Sequence, residues 1–236
     1  MAQIAALEGE GPMTWLIPAV GFALLWVWVF YREDKRPEPL WMVALAFLLG
    51  IVAFGVTWCV ERWVAWNWAG FNSDSPLDNA IMAFLIIGPV EEGSKFLAVR
   101  TFIYGSPHFD EPMDGIIYSA VLATGFAFAE NLLLTFDARH MVWVQGLCGT
   151  LAHILFAGYW GAALGWEKST GSKKLARIWV GISLAVSAFL HGLFDFCILT
   201  AGQTLPHLAS RIALALLVAA SFLILRQQIS RAKKLQ

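Results

Sequence analysis

The chain has 236 residues, of which 58% are hydrophobic and 14% charged, and its formal net charge is −1. A soluble domain usually carries about 25% charged residues, so a lipid bilayer is the expected solvent for much of this chain. The near-neutral charge gives no electrostatic argument for a nucleic-acid partner, and the high hydrophobicity excludes a disordered chain. The three cysteines form no CxxC pair, which excludes a disulfide scaffold and a cysteine-rich zinc module.

Seven mostly apolar segments each come close to the roughly 20 residues that a helix needs to cross a bilayer. In chain order, the predicted helices cover residues 14–31, 40–60, 79–104, 114–136, 141–165, 177–201 and 206–226. The connections between them are short. The sequence therefore predicts an all-α polytopic membrane protein with seven transmembrane helices and one integral membrane domain over residues 1–236.

Basic residues are distributed unevenly between the predicted loops. One set of loops holds Arg32, Lys35, Arg36, Arg100, Lys168, Lys173, Lys174, Arg177, Arg226, Arg231, Lys233 and Lys234. The opposite set holds only Arg62 and Arg139. Because cytoplasmic loops are enriched in Lys and Arg, we predict that the N-terminus is outside and the C-terminus inside.

The third predicted helix carries Glu91, Glu92 and Lys95 in the middle of its apolar sequence. Charged groups in the hydrocarbon are costly and usually face the bundle interior for a functional reason. Lys95 lies four residues after Glu91 and three after Glu92, so it can neutralise either one. The other carboxylate then remains available as a general base or acid. The alternative is an ion pair that only fixes helix packing. Separately, Gly88-Pro89 predicts a kink in the helix before these charged residues.

The next three helices each add polar side chains: Glu130 and Asn131, then His153, then His191 and Asp195. His191 and Asp195 are four residues apart, a spacing by which one helix presents two metal ligands. Alternatively, Asp195 orients His191 through a hydrogen bond. Glu130 is a further candidate ligand, whereas Asn131 can stabilise an oxyanion or form an interhelical hydrogen bond.

Depths estimated at ~1.5 Å per residue place all these groups between the membrane midplane and its outer half. We therefore expect the four helices to form one shared cluster. Three acids before the fourth helix, Asp110, Glu111 and Asp114, are expected to be surface charge near a helix start marked by Pro112.

At this point the motifs resemble those of the PrsW family of polytopic intramembrane proteases. The matching patterns are EExxK at 91–95, FxxxEN at 126–131, an isolated histidine at His153 and HGxxD at 191–195, in a core of about residues 77–200. The resemblance implies a protease related to the CAAX-prenyl endopeptidase group, in which Glu91 and Glu92 are essential. It also implies a bacterial plasma (inner) membrane, and a single-pass substrate like an anti-sigma factor, cut near the extracytoplasmic side.

Peptide hydrolysis in the bilayer then suggests a divalent metal, most simply Zn²⁺. We expect it to be held by His153, His191 and a carboxylate, either Glu130 or Asp195, because catalytic zinc usually has three protein ligands and a water. The expected partners are the lipid bilayer and a membrane-protein substrate.

In this hypothesis one of Glu91 and Glu92 accepts the proton from water, Lys95 neutralises the other, and Asn131 stabilises the tetrahedral oxyanion. An ion-coupled transporter is the alternative function, because buried Glu, His, Asp and Lys also build ion pathways. A third possible function is a membrane scaffold, in which the polar residues only hold the helices together.

Overall fold

The computed structural model describes residues 13–68, 70, 75–137, 142–170, 172–202 and 206–236. Over these residues the chain forms seven consecutive helical segments. They are α1 (Met13–Tyr31), α2 (Leu40–Asn67), α3 (Pro76–Ile81, Met82–Ile87 and Gly88–Phe102), α4 (Pro112–Asp137), α5 (Val142–Val144, Gln145–Gly149 and Thr150–Ser169), α6 (Lys173–Leu199) and α7 (His207–Ala232). The all-α class and the seven predicted helices are confirmed.

Five of the described helices, α2, α4, α5, α6 and α7, are long and apolar enough to cross a membrane. The apolar part of α1 is shorter, Leu16–Tyr31. The third helix carries the charged motif and is π-helical rather than α-helical over Met82–Ile87. The composition of the helices therefore makes this a multi-pass membrane protein, whereas its orientation stays a prediction.

The second helix is longer than predicted, because it continues to Asn67 rather than ending at residue 60. Trp63 and Trp66 lie on this extension and are 66% and 92% exposed. The extension also places Glu61 inside a helix, and this changes the composition of the site described below.

The centre of the bundle is the pair α4 and α5. In each of them 72% of the apolar segment is buried inside the protein, against 28% in α2 and 17% in α7. Phe126 and Trp160, one from each central helix, have no exposed surface. The outer helices pack around this pair and present apolar side chains to the surroundings, as expected where lipid replaces water.

The crossing of α3 and α6 positions the charged motif. A Cβ atom on Gly88 would meet the backbone of Ala188, and one on Gly192 would come within 2.5 Å of the carbonyl oxygen of Ala83. Both glycines therefore allow the two backbones to approach closely. The irregularity predicted at Gly88-Pro89 takes the form of π-helical turns over Met82–Ile87, directly before Gly88, a geometry that often marks functional sites.

Two of the three acids near the start of α4 are more buried than the sequence predicted. Asp110 is exposed, but Glu111 and Asp114 are only 7% and 1% exposed, so their prediction as surface charge was wrong. The reason is local hydrogen bonding: Oδ2 of Asp114 accepts the backbone N–H groups of Asp110 at 2.8 Å and Glu111 at 2.7 Å. Glu111 is also paired with Arg36.

Candidate active site

With the exception of Asn131, the polar residues predicted on four helices meet in one largely buried cluster between α3, α4, α5 and α6. The rings of His153 and His191 lie 5.0 Å apart, centre to centre. Glu91, Glu92 and Lys95 lie beside them, with at most 5% of each residue exposed. Because neighbouring helices run in opposite directions, residues far apart in sequence come to the same depth in the helix bundle.

Lys95 is the cation of this cluster. Its Nζ lies 3.1 Å from Oε2 of Glu91, 2.9 Å from Oε1 of Glu92 and 3.0 Å from Nδ1 of His153. An ammonium group has three N–H donors, so all three are used. Lys95 therefore binds both glutamates rather than the one we expected, and its Nζ also lies 4.1 Å from the centre of the Phe126 ring.

Glu92 is completely enclosed by donors. Oε1 accepts from Lys95 and from Nδ1 of His191 at 2.8 Å. Oε2 accepts from Nε1 of Trp160 at 2.9 Å and lies 3.0 Å from Oγ of Ser187, whose single proton is also within reach of the carbonyl oxygen of Phe156 at 2.7 Å. Both oxygens therefore have donors, so this carboxylate is held in place and serves to orient His191. Sequence reasoning missed Trp160 and Ser187, because both residue types are ordinary in membrane helices.

Each histidine is held by a carboxylate through one ring nitrogen. Nδ1 of His191 donates to Glu92, and Nε2 of His153 donates to Oε2 of Glu130 at 2.8 Å. Because Lys95 can only donate, Nδ1 of His153 is the unprotonated nitrogen. The lone pairs of His191 Nε2 and His153 Nδ1 are thereby fixed in direction, as in the carboxylate–histidine pairs that support metal ligands, although in this structure Nδ1 of His153 accepts a hydrogen bond from Lys95.

Those two lone pairs converge on Glu91. Its Oε2 lies 3.6 Å from Nδ1 of His153 and 3.5 Å from Nε2 of His191. Ligand atoms of these three buried residues all lie within 4.8 Å of one another. Ligands around a tetrahedral Zn²⁺ at 2.0–2.1 Å stand about 3.3 Å apart, so the two separations from Glu91 are close to those around such an ion. The carboxylate in this group is Glu91, whereas we had expected Glu130 or Asp195.

Two further acids border the group. Oδ2 of Asp195 lies 3.5 Å from Nε2 of His191, is buried, and has no hydrogen-bond partner among the described residues. Oε1 of Glu61, from α2, is likewise buried and unpartnered in the described part of the chain. Glu61 lies within electrostatic range of Glu91 and Asp195. Sequence reasoning missed it because the predicted helix stopped one residue earlier.

Asn131 lies beside the cluster without entering it. Its Nδ2 donates to Oγ1 of Thr150 at 3.2 Å, which links α4 to α5. This is the interhelical hydrogen bond that was the alternative to a role at the oxyanion, and the latter stays a prediction.

Comparison with known proteins gives one consistent result. The family model described as "PrsW family intramembrane metalloprotease" matches residues 38–225. "Protease PrsW" of Bacillus subtilis is 34% identical over 185 residues, covering 78% of this chain and 80% of the relative. The protein of that name from Geobacillus kaustophilus is 32% identical and covers 77% of each chain; the one from Clostridioides difficile is 30% identical and covers 73% of each. No solved structure matches.

Proposed function

This chain belongs to the PrsW family of intramembrane metalloproteases, and on that premise we propose that the buried cluster hydrolyses a peptide bond of a membrane protein with the help of zinc. Family membership favours this function over the transporter that the same buried charges allow. The observation that carries it is the clustering of three buried ligand residues, Glu91, His153 and His191, in which Oε2 of Glu91 lies 3.6 Å and 3.5 Å from a nitrogen of each histidine.

Glu91, His153 and His191 would hold the ion, which would replace the hydrogen bond that Lys95 donates to Nδ1 of His153. When bound, the metal supplies a Lewis acid that polarises the scissile carbonyl and lowers the pKa of water. Glu92 and Glu130 fix the two histidine rings by accepting their second ring N–H. Lys95 offsets the negative charge of Glu91 and Glu92, which burial would otherwise make very costly.

Asp195 is the best-placed general base. We expected one of Glu91 and Glu92 in that role, but Glu92 has donors on both oxygens and Glu91 belongs to the metal-binding group. Oδ2 of Asp195 lies at the edge of the group and its lone pairs are unused by the described residues. It can accept a proton from the attacking water and pass it to the leaving amine.

Exposure of the side chains supports an entrance from the outer side. Those of Glu92 and Lys95 are 0% exposed, whereas those of Asp195 and Glu130 are 20% and 29% exposed. The last two lie near the helix ends that the distribution of basic residues places outside. We infer that a single-pass substrate, of the kind an anti-sigma factor represents, is cut near its extracytoplasmic membrane boundary.

Reconstitution with such a substrate tests the proposal. Wild-type protein should produce a cut that fragment masses place at the extracytoplasmic end of the substrate helix. Glu91→Gln and His191→Ala should remove cleavage, and Asp110→Asn, a change at an exposed acid, should keep it. A cut on the cytoplasmic side would contradict the inferred entrance. Full cleavage by both site variants would contradict the site.

A further inference from the structure

A second group of buried acids lies at the opposite end of α4. Asp34 and Glu38 belong to the loop between α1 and α2, and Asp114 lies in the first turn of α4. They are 7%, 6% and 1% exposed, and their nearest ligand atoms all lie within 4.8 Å of one another. Asp114 is sixteen residues before Glu130, so about 24 Å of helix separates this group from the candidate active site.

The charge of this group is not balanced by the protein as it is in the active site. There, Lys95 bridges two glutamates. Among the described residues, no Lys or Arg forms an ion pair with Asp34, Glu38 or Asp114, and the nearby Arg36 pairs with Glu111 instead. Three ionised carboxylates buried together without a counterion are strongly unfavourable, so the group must take up either a proton or a cation.

Asp34 provides a second and independent observation. Its Oδ1 accepts the backbone N–H of Arg36 at 3.0 Å and Nε2 of Gln236 at 2.6 Å. Its Oδ2 is buried and has no partner in the described part of the chain. A buried anionic oxygen without a donor is costly, and such an atom usually marks a bound ion or water.

The other two carboxylates are fixed through one oxygen each. Oε2 of Glu38 accepts the hydroxyl of Tyr118 at 2.6 Å. Oδ2 of Asp114 accepts the backbone N–H groups of Asp110 and Glu111. These hydrogen bonds therefore orient all three carboxylates, as expected of a preformed oxygen-ligand site.

We propose that Asp34, Glu38 and Asp114 bind a hard divalent cation, Ca²⁺ or Mg²⁺. Oxygen-only ligands select these ions over zinc. Oxygen ligands bind Ca²⁺ at about 2.4 Å, so three oxygens that lie this close together can contact one ion. The ion ties the α1–α2 loop to the start of α4, and through Gln236 it also holds the C-terminal end. The site is independent of the proposed protease activity, because none of its residues belongs to the active-site cluster.

Terbium luminescence tests the site on purified full-length protein in detergent. Tb³⁺ occupies calcium sites, and the phenol of Tyr118, bonded to Glu38, is close enough to sensitise its emission. We expect saturable emission that Ca²⁺ or Mg²⁺ displaces. Glu38→Gln and Asp34→Asn should each weaken binding by about tenfold or more, because affinity follows the number of charged ligands. Asp110→Asn, in the same loop, should leave it unchanged.

Thermal unfolding gives a second readout that does not depend on luminescence. Ca²⁺ should raise the unfolding temperature of wild-type protein above that in Na⁺ at equal ionic strength, because it binds only the folded state. Asp34→Asn keeps the Oδ1 acceptor, and should fold but lose this increase. His191→Ala should keep it, which separates this site from the active site. Emission and stabilisation that are the same in wild type and Asp34→Asn, or no displacement by either ion, would overturn the proposal.

Discussion

At the scale of single residues, the adjacent glutamates Glu91 and Glu92 have different hydrogen-bond partners and different proposed roles. Glu92 accepts from Lys95, His191 and Trp160, whereas Glu91 shares Lys95 and places Oε2 3.6 Å and 3.5 Å from ring nitrogens of His153 and His191. The difference arises because neighbours on a helix face about 100° apart, towards different helices. The partners that each acid meets therefore distinguish them, and Asp195, whose Oδ2 has no hydrogen-bond partner among the described residues, is the acid that we propose for proton transfer.

Asp195→Asn tests that assignment. The amide cannot accept a proton from water, so cleavage should fall by about 10²–10⁴-fold. Zinc content should stay at the wild-type level, because Asp195 is not in the metal-binding group. Cleavage assays and elemental analysis on the same preparation measure both. Loss of zinc together with activity would instead make Asp195 a ligand.

The motif residues could be identified from sequence because charged groups inside apolar helices are costly and conspicuous. Their individual roles could not, since Lys95 lies four residues after Glu91 and three after Glu92 and either spacing allows an ion pair on a helix. Glu61 was missed for a different reason: it lies in the last two turns of α2, and helix ends are hard to place from sequence. The burial of Asp114 depends on a loop conformation that no periodic pattern encodes.

At the scale of elements, the site depends on how closely α3 and α6 approach. Gly88 and Gly192 allow the two backbones to touch one turn away from Glu91 and directly beside His191. The π-helical turns over Met82–Ile87 end at this crossing. Because a π-helical turn contains more residues than an α-helical one, these turns change the direction in which the following glutamates face. The geometry of the active site therefore rests on two residues that have no side chain.

Gly192→Ala and Gly181→Ala form a matched pair on α6. An added Cβ on Gly192 would come within 2.5 Å of the backbone of Ala83, whereas one on Gly181 meets nothing within 4 Å. We expect the first change to cost about 1–3 kcal/mol by overpacking and to reduce cleavage. The second should be neutral or slightly stabilising, because Ala favours helix. Thermal unfolding and cleavage measure both; equal effects would show that the close approach is unimportant.

At the scale of the whole molecule, two sites occupy opposite ends of the central helix pair. The active-site cluster lies where Glu130 and Asp195 are partly exposed, and the acidic group lies where α4 begins. Basic residues are concentrated at the latter end, as in the pairs of Glu167 with Arg100 and Arg177. We therefore predict that the catalytic entrance faces outward and the acidic group faces the cytoplasm.

Fusions at the C-terminus test this orientation. A fluorescent protein that matures only in the cytoplasm should be bright when attached after Gln236, and alkaline phosphatase, which needs an oxidising compartment, should be inactive there. The same pair attached before α1 should behave in the opposite way. Active phosphatase at the C-terminus would reverse the predicted orientation and, with it, the side on which the substrate is cut.

The central claim is that Glu91, His153 and His191 form a zinc centre for hydrolysis in the membrane. Elemental mass spectrometry of detergent-purified protein tests it most directly, beside a His191→Ala variant whose helix content and unfolding temperature show that it is folded. The account predicts about one zinc per wild-type chain and a large loss in the variant. A wild-type protein that cleaves its substrate without zinc or another divalent metal, before and after chelation, would contradict it.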